Sequence, residues 1–278
     1  EQFMTETAAM ADIVLPATQF MEHDDLYQGG GHQHIQLGLK LIDPPGECRS
    51  NHEVIQALAA RLGAEHEGFG MTPREIIDWT LRNSGWGTFD ELAETNFRDV
   101  QPKFEEAHYL NGFAYRDKKF RFKPVWAEVP FTHIGLMGPH ASMPSLPDHW
   151  DVNEAPDEAH PFKLATSPSR SYLNSTFAET PSSVRREGRP DVMMHPADAA
   201  RLGLADGQKV TVGNERGDVI LHLKVTEVAK VGTLIAEGLW PNKAHEGGRG
   251  INVLTGADPV APFGGAAFHD NKAWIRAV

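Results

Sequence analysis

The chain has 278 residues and a formal net charge of −12 at pH 7, with 40% hydrophobic and 23% charged residues. This length allows one or two domains, and the acidic balance argues against non-specific nucleic-acid binding, which needs a basic surface. A single cysteine, Cys48, excludes a disulfide framework, a CxxC zinc site and an all-cysteine iron–sulfur site within the chain. No apolar run approaches the roughly 20 residues that a membrane-spanning helix requires.

The first residues form an amphipathic stretch, 5–10, and then an apolar run, Ile13-Val14-Leu15, that ends at Pro16. We do not expect these residues to be a signal peptide, because they lack its basic and apolar segments. Such a short and wholly apolar run predicts a buried strand of a parallel sheet. Because a helix and a strand open the chain with no earlier strand to pair with, we expect a C-terminal fragment of a longer protein.

A polar loop at residues 22–28 leads into three consecutive glycines, 29–31, and then into His32-Gln33-His34. Consecutive glycines are costly to order and are typical of a backbone that approaches another molecule closely. This stretch is therefore either a ligand-facing loop or an ordinary flexible loop. We do not expect His32 and His34 to bind a metal, because no cysteine or convergent carboxylate accompanies them.

Three helices are predicted by one N-terminal signal, a Ser or Thr followed three residues later by Glu, which forms a capping box. The pairs are Ser50 with Glu53, Thr72 with Glu75, and Thr88 with Glu91. We expect these helices to have a structural role. Further along, a basic and aromatic stretch at residues 113–124 predicts a solvated pair of strands.

Residues 124–162 contain seven of the 19 prolines of the chain, which precludes long regular elements there. Trp126 and Trp150 suggest a segment that packs over a surface rather than a free linker. We place the domain boundary inside this segment.

An all-β pattern begins at Lys163, with a candidate strand at 163–166 and a loop at 167–177. This loop concentrates short hydroxyl side chains with one amide and one guanidinium group. It is either an ordinary polar loop or a cradle for a ligand that carries phosphates or many heteroatoms, which such groups can satisfy.

The most regular stretch runs from residue 191 to residue 238. It predicts a strand at 192–194, a helix at 196–202 that begins with Pro196 and stops at Gly203, and strands at 208–213 and 218–226. Two polar loops, 251–258 and 264–270, precede a closing strand at 272–278. Together these elements predict a small β-barrel with an inserted helix.

Five segments resemble the C-terminal part of the molybdopterin-dinucleotide oxidoreductases, the dimethyl sulfoxide reductase/formate dehydrogenase superfamily. They are residues 5–16, the glycine-containing loop 22–36, the run Leu173-Asn174-Ser175-Thr176-Phe177, the run His195-Pro196-Ala197-Asp198-Ala199, and the run Asn252-Val253-Leu254-Thr255. The resemblance implies an α/β plus all-β fold, with a partial Rossmann-like region followed by a double-psi β-barrel. The implied domains are 1–125, the end of the Rossmann-like third domain with a helical extension; 126–162, a connecting segment; and 163–278, the molybdopterin dinucleotide-binding barrel.

The resemblance also implies a cofactor, in which two molybdopterin guanine dinucleotides (bis-MGD) hold one molybdenum or tungsten atom. Its implied contacts are Ser167, Arg170, Asn174, Ser175 and Thr176 on the first loop, with Asn252, Asp258 and His269 on the second side. The 195–199 segment would be barrel structure.

The resemblance implies that the metal ligand lies in the N-terminal half of the enzyme. Any iron–sulfur cluster would also be bound there. We therefore expect no catalytic residue and no metal ligand in this chain, and no activity or stably bound cofactor for it alone. The implied partners are the N-terminal domains of the same polypeptide, with room for an electron-transfer subunit and no role for nucleic acid. The expected location is the cytoplasm, with the periplasm as the alternative.

Two other functions stay open from the sequence. One is a stand-alone, non-catalytic binding or assembly subunit built on the same barrel. The other, a barrel enzyme of a different kind, lacks support because no Ser/His/Asp arrangement or carboxylate pair stands out.

Overall fold

The computed structural model describes residues 1–123, 125, 143–146, 148, 152–174, 176–260 and 265–278, without the side chains of Pro259 and Ala266. The chain divides into two compact units, Glu1–Phe120 and Arg121–Val278. Most of the expected connecting segment, 126–162, lies outside the described residues, and so does Ser175.

The first unit is a small three-stranded antiparallel sheet with helices around it. Its strands, in the order β1-β2-β3, are β1 (Asp25–Gln28), β2 (His34–Gly38) and β3 (Phe97–Asp99). The helices are α1 (Glu6–Ala9), α2 (Asn51–Leu62), α3 (Pro73–Asn83), α4 (Phe89–Thr95) and α5 (Phe104–Ala107), with a 3-10 turn at Glu67–Gly70. One face of β2 packs on α3 and α4 through a core of Ile35, Leu37, Ile77, Leu81, Phe89 and Leu92.

The three predicted helix starts are confirmed. At the start of α2, α3 and α4, the Ser or Thr side chain accepts from the backbone N–H three residues on, and the Glu side chain accepts from the cap N–H in return. These bonds satisfy two of the donors that every helix N-terminus leaves unpaired.

Two local predictions for this part of the chain are wrong. Residues 13–15 form no strand, because no neighbouring strand among the described residues pairs with them; the nearest ladder contact is a single bridge between Ala17 and Arg49. Ile13, which was expected to be buried, is 79% exposed. The described residues of the 113–124 stretch form a turn rather than a strand pair. Left-handed backbone at Gly112 and Lys118 interrupts the extended conformation that a strand pair needs.

The second unit contains a closed barrel of six strands. The strands of this unit are β4 (Phe162–Ser167), β5 (Asp191–Met194), β6 (Lys209–Gly213), β7 (Asp218–Val225), β8 (Thr233–Glu237), the short pair β9 (Pro259–Val260) and β10 (Gly265–Ala266), and β11 (Asn271–Ala277). The order around the barrel is β11-β4-β8-β5-β7-β6. Two neighbouring pairs, β4 with β8 and β5 with β7, are parallel, and the remaining pairs of the barrel are antiparallel. The barrel that the resemblance implied is thus present.

Alternation of side chains fills the barrel. In β7, Val219, Leu221 and Leu223 point inward and are at most 2% exposed, while the residues between them are less buried. The inserted helix α7 (Pro196–Leu202) begins and ends where predicted, with left-handed Gly203 as its stop. The described part of this unit also contains helix α6 (Pro181–Glu187) and the 3-10 turns Asn242–Ala244 and Ile251–Leu254. No helix within the described ranges is long and apolar enough to cross a membrane.

Candidate functional site

A cleft of about 460 Å³ opens at one end of the barrel. It forms there because β4 and β8 are parallel neighbours, so the segments that follow them leave the barrel at the same edge. The N–H of Gly238 donates to the carbonyl of Ser167 at 2.7 Å, which continues the ladder one residue past β8. The lining residues are Thr166, Ser167, Pro168, Leu173, Asn174, Gly238, Leu239, Asn252, Thr255, Phe268 and His269.

The first wall is the loop after β4. Ser169 Oγ donates to the carbonyl of Tyr172 at 2.9 Å, and Leu173 and Thr176 exchange backbone hydrogen bonds of 2.9 and 3.1 Å. Asn174 takes a left-handed backbone, φ 51°, at the tip of this turn, a conformation that Asn tolerates better than most residues. The tight turn presents the Asn174 side chain to the cleft.

The second wall is the 3-10 turn Ile251–Leu254. Ile251 and Leu254 are buried in the barrel core, which leaves Asn252 exposed towards the cleft. Two side chains from the turn between β6 and β7 hold the 251–254 turn in place. Asn214 Nδ2 and Arg216 Nε donate to the Leu254 carbonyl at 2.8 and 2.9 Å.

The third wall precedes β11. Asn271, which is 1% exposed, donates from Nδ2 to the Phe268 carbonyl at 2.8 Å. Thr166 Oγ1 lies 3.2 Å from Nδ1 of His269, and this hydrogen bond ties the wall to the end of β4. The Phe268 and His269 rings are 4.3 Å apart between centroids.

The lining defines the kind of ligand that fits. It combines hydroxyl and amide groups with the apolar surfaces of Leu173, Leu239 and Phe268, and the described lining includes no Lys, Arg, Asp or Glu. Apolar walls with a few convergent polar groups are typical of a small-molecule site. Within the described part of the chain, the side chains of Asn174 and Asn252 have no protein hydrogen-bond partner, so both amide groups are free to bind a polar ligand.

Comparison with protein families identifies the domain that contains the cleft residues. Residues 162–272 match the Molydopterin dinucleotide binding domain, and residues 1–61 match the Molybdopterin oxidoreductase family. The chain belongs to the molybdopterin oxidoreductases.

Curated relatives in this family catalyse different reactions. Probable oxidoreductase YoaE of Bacillus subtilis is 32% identical over 99% of this chain and 39% of its own length. A dimethyl sulfoxide/trimethylamine N-oxide reductase of Cereibacter sphaeroides is 30% identical over 85% of this chain and 31% of its length. The F420-dependent formate dehydrogenase 1 subunit alpha of Methanococcus maripaludis is 27% identical over 84% of this chain and 32% of its length.

A solved structure supports the same fold. Acetylene hydratase from Pelobacter acetylenicus superposes with a TM-score of 0.69 and 20% identity, over 99% of this chain and 39% of that one. The molybdopterin oxidoreductase chain thus spans less than half the length of the relatives it matches.

The family resemblance pointed to eight cofactor contacts, and the structure brings four of them to one cleft: Ser167, Asn174, Asn252 and His269. Arg170, Thr176 and Asp258 are exposed on the adjoining loops but do not line it. Ser175 lies outside the described residues.

Sequence reasoning missed the residues that hold the loops in place. Asn214 and Arg216 lie in the short turn between β6 and β7, and Asn271 lies at the start of β11. Asn271 Oδ1 also accepts from the Gly256 N–H and from Arg216, both at 3.4 Å, so it links the second and third walls. Their role depends on contacts with residues 15 to 58 positions away, and we find no local pattern that would have indicated it.

A cluster of charged residues lies away from the cleft. Asp157, His160 and Glu215 converge closely enough to hold a metal ion. However, the Lys272 ammonium lies 2.7 Å from Asp157 and 2.8 Å from Glu215 and supplies the compensating charge. Hydrogen bonds to Lys272 and to the His160 backbone hold the pKa of the Asp157 carboxyl well below its usual range, while the two carboxylates raise the pKa of Lys272. The cluster is best explained as an ion-pair network.

Proposed function

We propose that this chain supplies the cofactor-covering barrel of a molybdenum or tungsten oxidoreductase. The cleft is the main support for this proposal. It is built from the loops of a molydopterin dinucleotide-binding domain and presents unpaired amide groups beside apolar walls. No feature of the described residues favours the alternative of a stand-alone binding subunit.

In this proposal the four cleft residues contact the pterin. Ser167, Asn174 and Asn252 would donate to or accept from its ring heteroatoms, and His269, oriented by Thr166, would bind at the third wall. The resemblance adds Ser175 to the first loop.

The remaining contacts lie beside the cleft. The Arg170 guanidinium suits a phosphate, since charge-assisted bonds to phosphate are among the stronger ones. Thr176 would donate its hydroxyl hydrogen to an acceptor on the cofactor. Asp258 would accept from N–H groups, because a carboxylate repels phosphate.

When bound, the metal of the bis-MGD cofactor supplies the two-electron transfer of an oxygen atom or a hydride equivalent. The chain's own residues bind and orient the pterins and cover them from water, and we assign none of them a catalytic role. Because the relatives include both an N-oxide reductase and a formate dehydrogenase, the family does not fix the substrate.

The organisation that supports this role has three parts, which we propose as 1–125, 126–162 and 163–278. The partners would be the N-terminal domains that carry the metal ligand, with an iron–sulfur cluster or an electron-transfer subunit as further components. We propose the cytoplasm as the location, which cell fractionation would test.

The test is cofactor content in the protein expressed from its complete gene. Metal is measured by mass spectrometry, and guanine nucleotide is measured after acid release. We expect two guanine nucleotides per metal atom. The triple variant Ser167→Ala, Asn174→Ala, Asn252→Ala should lose most of both, because three polar groups at the cleft are removed together.

A matched control replaces Ser182 and Asn83, which are exposed and do not line the cleft, with alanine. It should retain its cofactor. A wild-type protein without guanine nucleotide, or a triple variant with the same content as the control, would contradict the proposed function.

A further inference from the structure

An ion pair outside the cleft joins the proline-rich segment to the barrel. Glu154 receives two hydrogen bonds from Arg216, from Nη1 at 2.7 Å and from Nη2 at 3.0 Å. Its Oε2 also accepts from the Lys272 backbone N–H at 2.9 Å. Both side chains of the pair are about two-thirds buried, with exposed fractions of 32% for Arg216 and 29% for Glu154. A bidentate pair of this kind fixes orientation as well as charge.

The same guanidinium group reaches the second wall of the cleft. While its Nη atoms face Glu154, Arg216 Nε donates to the Leu254 carbonyl at 2.9 Å. That carbonyl belongs to the turn that carries Asn252. The planar guanidinium therefore connects the carboxylate of Glu154 directly to the backbone of the cleft wall.

The core burial of Ile251 and Leu254 anchors the turn, and the side-chain bonds to the Leu254 carbonyl and the Gly256 N–H fix its C-terminal end. Asn214 shares the Leu254 carbonyl, and the Gly256 N–H is held by a long 3.4 Å bond to Asn271. Asn214 also accepts from the Arg216 backbone N–H at 3.0 Å, so the position of Asn214 is linked to that of Arg216. Without its carboxylate partner, the guanidinium would turn towards water and leave the carbonyl.

We propose that Glu154 and Arg216 are positioning residues that hold the Ile251–Leu254 turn, and with it Asn252, against the cofactor. Neither residue lines the cleft, so both act through the Leu254 carbonyl. The effect on the cofactor rests on the proposed function, whereas the effect on the turn does not.

The test uses two variants of the protein expressed from its complete gene, Glu154→Gln and Arg216→Lys. Gln keeps the size of Glu but loses one acceptor, and Lys keeps the charge but lacks the planar fork that reaches both partners. The control is Asp157→Asn, in the same segment, which removes a partner of Lys272 and touches neither Arg216 nor the turn.

Hydrogen exchange measured by mass spectrometry reports how often the amides of the turn open, and guanine nucleotide content reports how much cofactor is bound. In both variants we expect exchange of the 251–256 amides about tenfold faster than in wild type, because local opening governs exchange. Cofactor content should fall severalfold. Asp157→Asn should match wild type in both measurements.

Unchanged exchange at 251–256 in both variants would overturn the positioning role. Faster exchange with full cofactor content would overturn the link to the cofactor. A wild-type protein that contains no guanine nucleotide would contradict the proposed function instead, and the exchange data would still decide whether Glu154 and Arg216 hold the turn.

Discussion

Gly238 lies directly against the phenol of Tyr172, so closely that a β-carbon at position 238 would overlap the hydroxyl oxygen. Tyr172 is 4% exposed and packs edge-on against Trp240, with ring centroids 5.5 Å apart. Burial raises the pKa of the Tyr172 hydroxyl, with a further contribution from Glu187. This close approach joins the loop after β4, which is the first wall of the cleft, to the segment after β8, which also lines the cleft.

Gly238→Ala is therefore expected to destabilise the barrel. The added methyl must displace the buried ring, and overpacking of this kind costs roughly 1–3 kcal/mol. The backbone at Gly238 is also left-handed, φ 77°, which costs a residue with a β-carbon about 1–2 kcal/mol more. Urea unfolding followed by circular dichroism would measure the sum.

Gly232→Ala separates the two causes. Gly232 has nearly the same backbone, φ 79°, but a β-carbon there would meet nothing within 4 Å. It should show only the backbone cost. Equal losses of stability in the two variants would show that Tyr172 yields without cost.

Asp198 is expected to stabilise the barrel at neutral pH. It is 2% exposed and accepts from the Gly232 N–H at 2.7 Å and from Arg201 at 2.9 Å. Burial alone would raise the pKa of Asp198, but these two donors lower it below the ordinary value of 3.8. The stabilisation is therefore complete above pH 3.8 and is lost as the pH falls through the lower pKa of the folded state.

Asp198→Asn should cost roughly 1–3 kcal/mol at pH 7, because one of the two donors then faces an amide N–H. The difference from wild type should shrink in acid, where wild type loses its charged acceptor. Denaturant unfolding of wild type and variant at pH 7 and in acid measures this difference in stability. Asp191→Asn, at a more exposed pair with Arg189, should change stability little. A constant difference across the pH range would exclude the carboxylate charge as the cause.

Local patterns in the sequence were sufficient for several helices and for the barrel strand β7. The capping boxes at Ser50, Thr72 and Thr88 depend on atoms three residues apart, and α7 is bounded by Pro196 and Gly203, so both signals are complete within the sequence. The apolar residues Val219, Leu221 and Leu223 of β7 alternate in the sequence with other residues, and these three fill the barrel. In contrast, apolarity alone at 13–15 did not make a strand, since a strand also needs a paired neighbour.

The site was predictable in part, because the family resemblance supplied Ser167, Asn174, Asn252 and His269 from loops that are far apart in the sequence. Their convergence follows from the parallel pairing of β4 with β8 and the return of β11 beside β4, which is a property of the topology. The supports of the cleft, such as Arg216 with Glu154, join residues 62 positions apart. No spacing rule connects such residues, so only the fold reveals them.

Lys272 is expected to fasten the segment around Asp157 to the barrel. Its ammonium pairs with Asp157 and Glu215, and both carboxyl groups have lowered pKa values, first of all because of their hydrogen bonds to Lys272. Lys272→Met should leave two carboxylates facing each other and speed hydrogen exchange of residues 155–160 by severalfold. Lys209→Met, which removes a separate pair with Glu246, should not change exchange there. Equal protection in Lys272→Met would show that packing alone holds the segment.

Arg170→Ala is expected to lower cofactor content in the protein expressed from its complete gene. Arg170 is exposed and forms no ion pair with the described residues, so its charge is available to a phosphate beside the cleft. Loss of a charge-assisted bond should weaken retention by about tenfold or more. Because salt screens an exposed contact of this kind, retention in the variant should also depend less on ionic strength than in wild type.

Asn174→Ala provides the contrast. Because it removes an uncharged amide facing the pterin, it should lower cofactor retention by the same factor at every salt concentration. Arg185→Ala, an exposed arginine on α6, serves as the charge control and should retain the wild-type behaviour. Guanine nucleotide released after dialysis at low and high salt distinguishes the three variants. An Arg170→Ala protein with wild-type content and wild-type salt dependence would remove Arg170 from the phosphate contacts, and the cleft residues would then account for the binding by this domain.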